Sequence, residues 1–320
     1  MADLTDSDTV EEFIPLPPGS ADPPRSQSAG VAVDFGAATH PGKVRPNNED
    51  HYLVVRFGRA MELLRSNLPA GHVPLEFADL GYGMVVADGM GGAAAGEIAS
   101  SLAIVVGLNL SLNHPKWTFM ITAEEVRENM DRWQDRFRQI DAILAERARA
   151  DPALAGMGTT LTLACSIGPH LLLYHVGDSR AYLFRDGRLH QLTRDHTYAQ
   201  DLADAGRIEP AAVPGHRLRH VLTRVIGKGG GTAEADIECL PLADGDQVLL
   251  CTDGLNEMVG DALIADVLAH GRPAEAAART LVDLALDAGG KDNVTVVLAK
   301  YSIRAADENR TPTLPPEGTP

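Results

Sequence analysis

The stretch Val85-Val86-Ala87-Asp88-Gly89-Met90-Gly91-Gly92 is a short apolar run ending in an aspartate among glycines. Such a run reads as a buried strand entering a tight turn, and a carboxylate at a strand end beside glycine-freed backbone is placed to hold a cation. Asp-Gly alone is an ordinary turn signal. Repetition gives it weight. Val176-Gly177-Asp178-Ser179-Arg180 and Leu250-Cys251-Thr252-Asp253-Gly254 also carry an aspartate just past an apolar run, and Gly290-Lys291-Asp292-Asn293 carries one just before Val294 to Leu298. Four such carboxylates, far apart in sequence, can converge at one edge of a sheet sandwich. Convergent oxygen donors suit hard divalent cations such as Mg²⁺ or Mn²⁺ rather than zinc.

The 320 residues are 44% hydrophobic, enough for one large domain with a substantial core. A formal charge of −16 argues against nucleic acid as the main partner, because phosphate binding needs a basic surface. The three cysteines, Cys165, Cys239 and Cys251, form no C-x-x-C pair, so structural zinc is not expected and a reducing cytoplasm is the simplest setting. The acidic, polar N-terminus does not read as a signal peptide. Ile98 to Leu112, interrupted by Ser100, Ser101, Gly107 and Asn109, reads as a core helix too short for a membrane span.

Residues 1–28 and 303–320, rich in proline and without period, read as disordered tails flanking one domain at 29–302. Within it, Val31 to Thr39, Tyr52 to Arg56 and Tyr82 to Ala87 read as strands. Residues 57–80 read as packed loop, with an extended hairpin or a regulatory insertion as alternatives. Gly96 to Leu112 reads as helix. Thr122-Ala-Glu-Glu125 is a capping box, followed by Val126, Met130, Trp133, Phe137, Ile140 and Leu144 on one helical face. Strands follow at Leu161 to Ile167, Leu171 to Val176, Ala181 to Arg185 and Leu189 to Leu192, the last two joined by the hairpin signal Asp186-Gly187. Residues 194–227 resemble a surface flap. Val248 to Cys251 and Val294 to Lys300 are strands, with helices at Ala262 to Ala269 and Pro273 to Asp287 between them. Runs of strands and runs of helices indicate an α+β protein with antiparallel sheets.

Gly42-Lys-Val-Arg45-Pro-Asn-Asn-Glu49-Asp50 lies between the first two strands and adds an arginine and two carboxylates. The planar arginine fork matches phosphoryl oxygens, so acidic metal ligands beside one arginine point to phosphate-ester chemistry. The ordered set R-x-x-N-E-D, D-G-M-G-G, G-D-S-R, T-D-G and G-K-D-N resembles the PPM-type (type 2C) metal-dependent serine/threonine protein phosphatases, in their bacterial form, over residues 30–301. The resemblance implies a four-layer α-β-β-α sandwich with two central antiparallel β-sheets and two Mn²⁺ or Mg²⁺ ions at one edge. It implies that Asp88 bridges both metals, the Gly89 carbonyl completes the first site, and Asp253 and Asp292 hold the second. It further implies that Asp178, with Asp253, holds a weaker third metal, that Glu49 acts through water on the metals beside a supporting Asp50, and that Arg45 binds the substrate phosphate.

The implied partners are phosphorylated proteins, with a bacterial Ser/Thr kinase opposed; neither nucleic acid nor membrane is expected, and a monomer is the default. Two other readings share the fold: a pseudophosphatase that binds phosphoproteins without turnover, and a partner-switching phosphatase. Asp178 read alone could instead form a turn paired with Arg180, itself expected in a structural ion pair. Gly158-Thr159-Thr160 reads as backbone geometry, and His196 and His220 as packed or surface histidines.

Many relatives carry a histidine in or just after D-G-x-G-G, a candidate acid for the leaving alkoxide; here Met90 and Ala93 stand there. Phosphoserine and phosphothreonine are therefore expected to be hydrolysed less well, relative to aryl phosphates, whose leaving groups need less protonation. Ala93→His should raise the ratio of phosphothreonine to aryl phosphate turnover, and an unchanged ratio would refute the idea.

Overall fold

All five residues of Gln247-Val248-Leu249-Leu250-Cys251 are buried, as in a strand covered on both faces. Val248 and Leu250 join one apolar cluster and Leu249 and Cys251 another. That division, repeated in strand after strand, sets the layers.

The computed structural model describes residues 28, 30–68, 73–91, 95–113, 123–229 and 233–304, without side chains at 123–126. The chain begins with β1 (Val31–His40), β2 (Asp50–Glu62) and β3 (Glu76–Met90), then α1 (Ala95–Leu112) and α2 (Ala123–Ala150). Next come β4 (Gly158–Thr159), β5 (Leu161–Ile167), β6 (His170–Val176), β7 (Arg180–Arg185), β8 (Arg188–Gln191) and the short helix α3 (Tyr198–Asp204). It ends with β9 (Asp236–Pro241), β10 (Gln247–Cys251), α4 (Asp253–Asn256), α5 (Asp261–Ala269), α6 (Ala274–Asp287) and β11 (Val294–Ile303).

One sheet runs β1-β11-β10-β7-β8 and the other β2-β3-β5-β6-β9, with β4 added to β3. Every pairing is antiparallel. Met84, Val86, Leu171, Leu173, Val248, Leu250 and Val297 fill the space between the sheets. Leu249, Val296 and Leu298 face α5 and α6, while Leu163, Leu172 and Tyr174 face α1 and α2. The expected α-β-β-α sandwich of an α+β protein is thus built by period-2 alternation within central strands such as β5, β6 and β10, which are buried almost throughout.

Helix α2 carries Phe137, Ile140 and Leu144 fully inward, with Met130 and Trp133 half-buried beside them. Thr122 and the side chains of Glu125 and Val126 lie outside the described residues. Helix α6 starts after Pro273, which supplies no side-chain cap; Asp34 on β1 does so instead, its Oδ2 accepting the Ala274 N–H at 2.8 Å. Asp186 (φ 52°) and Gly187 (φ 76°) make the two-residue hairpin turn between β7 and β8.

The structure corrects several expectations. The flanks of the 57–80 segment are not loop packing: β2 and β3 pair from Asp50↔Asp88 out to Glu62↔Glu76, which is the extended hairpin. Glycine hides it from a periodicity reading. A Cβ at Gly81 would stand 2.5 Å from the Phe57 ring, so the glycine is what lets Phe57 lie across β3. Asp88 sits within β3 rather than in a turn after it. Strand β9, a half-exposed edge strand, and the single turn α4 had no clear signal. Helix α1 is 18 residues long, with a mean hydropathy of 1.5 that is sufficient to cross a bilayer. One face of it, through Ala95, Ala99, Ala103 and Ile104, packs into the core over the second sheet.

Beneath the flap, His175 on β6 is buried between the Thr162 hydroxyl (2.9 Å to Nδ1) and the Arg194 carbonyl (3.1 Å from Nε2), with the His196 ring 4.8 Å away. Nε2–H donates to the carbonyl and Nδ1 accepts, so both nitrogens are engaged in the neutral form. Burial, reinforced by His196, pushes its pKa down to about 3. Between about pH 6.5 and pH 3 the unfolded chain therefore binds a proton that the folded one refuses, and stability falls as pH falls. His175→Gln should flatten the acid limb of a denaturation series by up to about 1.4 kcal/mol per pH unit. Parallel wild-type and variant curves would show that His175 is not responsible.

Candidate metal centre

Strand register alone brings the acidic residues together. Asp50 opens β2 opposite Asp88 near the end of β3. β10 ends at Cys251, opposite Val296 on β11 and Arg180 on β7, so Asp253 leaves the sheet where Asp292 enters it and where Asp178 precedes β7. β5 begins opposite the end of β6, which delivers Asp178 to the same edge. Asp50, Asp88, Asp178, Asp253 and Asp292 thus meet at one edge of the sandwich. Glu49 and Arg45 join them from the loop between β1 and β2.

Asp50 is the most enclosed. Its Oδ2 accepts the hydroxyls of Thr252 (2.7 Å) and Thr295 (2.8 Å). Thr295 also meets the Thr39 hydroxyl at 2.7 Å, which in turn accepts from the Asn48 amide at 2.8 Å. Each of these threonines has one hydrogen to give, so the chain of donation runs Asn48 to Thr39 to Thr295 to Asp50. The other oxygen, Asp50 Oδ1, is buried without a partner among the described residues, and so is Asp253 Oδ1.

Backbone geometry fixes the rest. Asp88 donates its N–H to Thr160 Oγ1 (2.9 Å), and its carbonyl accepts from the Thr159 hydroxyl (2.8 Å) and the Thr160 N–H (2.9 Å). Gly89 donates its N–H to the Glu49 carbonyl at 3.1 Å, and a Cβ there would fall 2.0 Å from the Gly96 oxygen. The Glu49 carboxylate lies against Gly96 of α1. Asn293 accepts the Glu49 N–H (2.7 Å) and donates to the carbonyls of Pro41 and Asn47 (2.9 and 2.8 Å), which ties the Arg45 loop to the start of β11. Gly254 allows the closest approach: its Cβ would stand 1.9 Å from the Asn293 oxygen.

Burial and mutual repulsion dominate the electrostatics. Burial, then the charges of its neighbours, holds Asp88 well above the usual carboxylate range, with Asp50 and Asp253 contributing most among those charges. Asp253 is raised likewise, with Asp178 and Asp292 next. Asp50 is pushed up to about 7 by burial, against the two hydroxyls that favour its charged form. Asp178 is also raised to about 7, by burial and then Asp195. Carboxylates gathered in this way ionise together only beside a compensating cation.

Among the described residues, no three carboxylates, imidazoles or thiols close on one point as a finished coordination shell. Oxygens that can bond have turned to the protein: Asp292 Oδ2 to Arg45 at 2.6 Å and Asp50 Oδ2 to its hydroxyls. Partnerless buried oxygens on Asp50 and Asp253, and a donor set made of carboxylates, fit a hard divalent cation.

Arg180 forms its ion pair with Asp195, bidentately at 2.9 and 2.7 Å, and not with Asp178. Asp178 is left facing a polar cavity of about 350 Å³, shared with Asp253, Glu257 and the flap residues Arg219 and His220. His196 is fully buried, bonded to Asp236 at 3.0 Å and to the Gly177 N–H at 3.1 Å. His220 stands half-exposed, 3.6 Å from Glu257. Thr159, Thr160, Thr252, Thr295 and Asn293 are the supporting residues that the sequence reading gave no part in the chemistry. Their signal was only adjacency to an aspartate or to a strand start.

The family model for protein phosphatase 2C matches residues 83–294. The serine/threonine protein phosphatase PstP of Mycobacterium tuberculosis is 40% identical over 216 residues, 68% of this chain and 40% of that protein, so the chain spans well under half of that relative's length. The protein phosphatase PhpP of Streptococcus pneumoniae is 32% identical over 279 residues, 86% of this chain and 100% of the relative. The crystal structure of the PstP catalytic domain in complex with two manganese ions superposes with a TM-score of 0.64 at 33% identity, covering 85% of this chain and 99% of that one.

Because the folded-state pKa of Asp253 is raised, its ionised form weighs against folding at neutral pH, a cost that vanishes at low pH where the carboxyl is protonated. In EDTA at pH 7.5, Asp253→Asn should raise the melting midpoint by a few degrees, about 2–4 °C per kcal/mol relieved. The gain should shrink toward pH 4. A midpoint lowered equally at both pH values would contradict the repulsion argument.

Proposed function

This chain belongs to the protein phosphatase 2C family, and we propose that it hydrolyses phosphoserine and phosphothreonine in proteins at the carboxylate edge of the sandwich. The observation that carries the reading is the convergence of five aspartates by strand register, two of them with buried oxygens that have no partner among the described residues. We assign Asp88, the Gly89 carbonyl, Asp253 and Asp292 to two Mn²⁺ or Mg²⁺ ions, and Asp178 with Asp253 to a third, weaker one. Bound divalent cations supply neutralisation of phosphoryl oxygens and a lowered pKa for the attacking water.

The protein's own groups orient the reaction. Arg45, more than half exposed at its side chain, can leave Asp292 and place its fork on two phosphoryl oxygens. Glu49, only part-buried beside Gly96, serves as the hydrogen-bond acceptor for a water proton, and Asp50, fixed through Oδ2 by two threonine hydroxyls, supports it from behind. Thr159 and Thr160 hold the Asp88 backbone so that its carboxylate does not drift. The flap, with Arg219 and His220 over the polar cavity, borders the edge and is the natural seat of substrate selectivity. No acidic position of the site is replaced, so a binding module without turnover has no support here. The implied partners are phosphoproteins acted on by a Ser/Thr kinase, and three free cysteines accord with a cytoplasmic setting.

Phosphate release from a phosphothreonine peptide should require Mn²⁺ or Mg²⁺, stop in EDTA, and fall at least about a hundredfold in Asp253→Ala. Arg45→Ala should raise KM about tenfold, the scale of one charge-assisted contact, with a smaller loss in kcat. Turnover that persists in EDTA, or in Asp253→Ala, would sink the assignment.

A further inference from the structure

Away from the metal edge, a second cavity of about 270 Å³ lies between α1, α2 and the outer face of the second sheet. Leu53, Val85, Leu108, Trp133, Ile140 and Leu163 give it apolar walls. Gly107 of α1 helps to make the space, since a Cβ there would stand 3.3 Å from Ile140 Cδ1. Its volume is just below the usual range of ligand pockets, about 300–1,000 Å³. That is room for one slender chain.

The same cavity is lined by three arginines, Arg56, Arg132 and Arg136. Arg132 engages Glu128 at 3.5 Å. Arg136 lies over the Trp133 ring at 4.5 Å, and among the described residues no carboxylate pairs with it or with Arg56. Burial, with the charge of Arg132 second, lowers the Arg136 pKa. A half-buried guanidinium without a counter-charge, at the wall of an apolar chamber, is matched by a ligand with an apolar body and a planar anionic head.

We propose that this cavity binds a single-chain fatty acid, its acyl chain between α1 and the sheet and its carboxylate on Arg136 and Arg56. The guanidinium fork donates to two carboxylate oxygens at once, and each methylene placed among the leucines adds to affinity. The site needs no metal and stands independently of the phosphatase reading.

The chain has two tryptophans, and Trp117→Phe leaves Trp133, in the cavity wall, as the sole tryptophan, excited selectively over the tyrosines. In that full-length background, 11-bromoundecanoate should quench Trp133 fluorescence saturably. Its methyl ester should bind about tenfold more weakly, the scale of a lost charge-assisted contact. Unbrominated acids from octanoate to dodecanoate should displace the probe with affinities rising roughly fourfold per methylene. Arg136→Met, which keeps an apolar stem over Trp133, should weaken the acid about tenfold and leave the ester unchanged. Quenching that never saturates, or acid and ester binding alike, would overturn the proposal. The acid and ester comparison decides the matter even if Arg136→Met fails to fold.

Discussion

One buried carboxylate oxygen joins the two sheets where the chemistry is placed. Asp50 belongs to β2 of one sheet, whereas Thr252 and Thr295 follow β10 and lie on β11 of the other. Apolar packing between the sheets is non-directional and would tolerate sliding. Two short hydroxyl contacts to a single oxygen do not. They hold the facing edges at one spacing, and the positions of Asp88, Asp253 and Asp292 inherit it. At the far side of the interlayer space, the Tyr301 hydroxyl meets Ser166 at 3.0 Å and makes a second, neutral tie.

The edge built in this way is stabilised by geometry and strained by charge. Glycines at 89, 96 and 254 allow backbone approaches that any Cβ would block, so acidic side chains are crowded closer than their charges favour. Arg45 offsets part of that repulsion through Asp292. The remainder is held by three apolar layers built on central strands, β5, β6 and β10, that are buried on both faces. Local conflict supported by a consistent surrounding fold is what a functional edge is expected to show.

Much of this was legible in the sequence, for identifiable reasons. Strands such as Val248 to Cys251 and Leu161 to Ile167 announce themselves because burial on both faces leaves no polar position within them. The aspartates stand out because each interrupts such a run at its end. Thr252 and Thr295 were silent, since threonine is at home in any strand and its hydroxyl partner lies some 200 or more positions away. The β2–β3 hairpin was masked by glycines at 58, 81 and 83, and β9 by the mixed exposure of an edge strand. Arg180 chose Asp195 over its near neighbour Asp178 because β7 and the flap base are adjacent only in the folded chain.

The Arg45–Asp292 contact has a thermodynamic meaning under the proposed assignment. One arginine cannot fully serve both a protein carboxylate and a phosphoryl group, and the carboxylate cannot fully serve both the arginine and a cation. Cation and phosphate each release the partner that the other needs. Their affinities are therefore reciprocally coupled, each raising the other by the same factor. An enzyme wired in this manner holds its metal least firmly when idle, and grips it hardest while a phosphoprotein is in place.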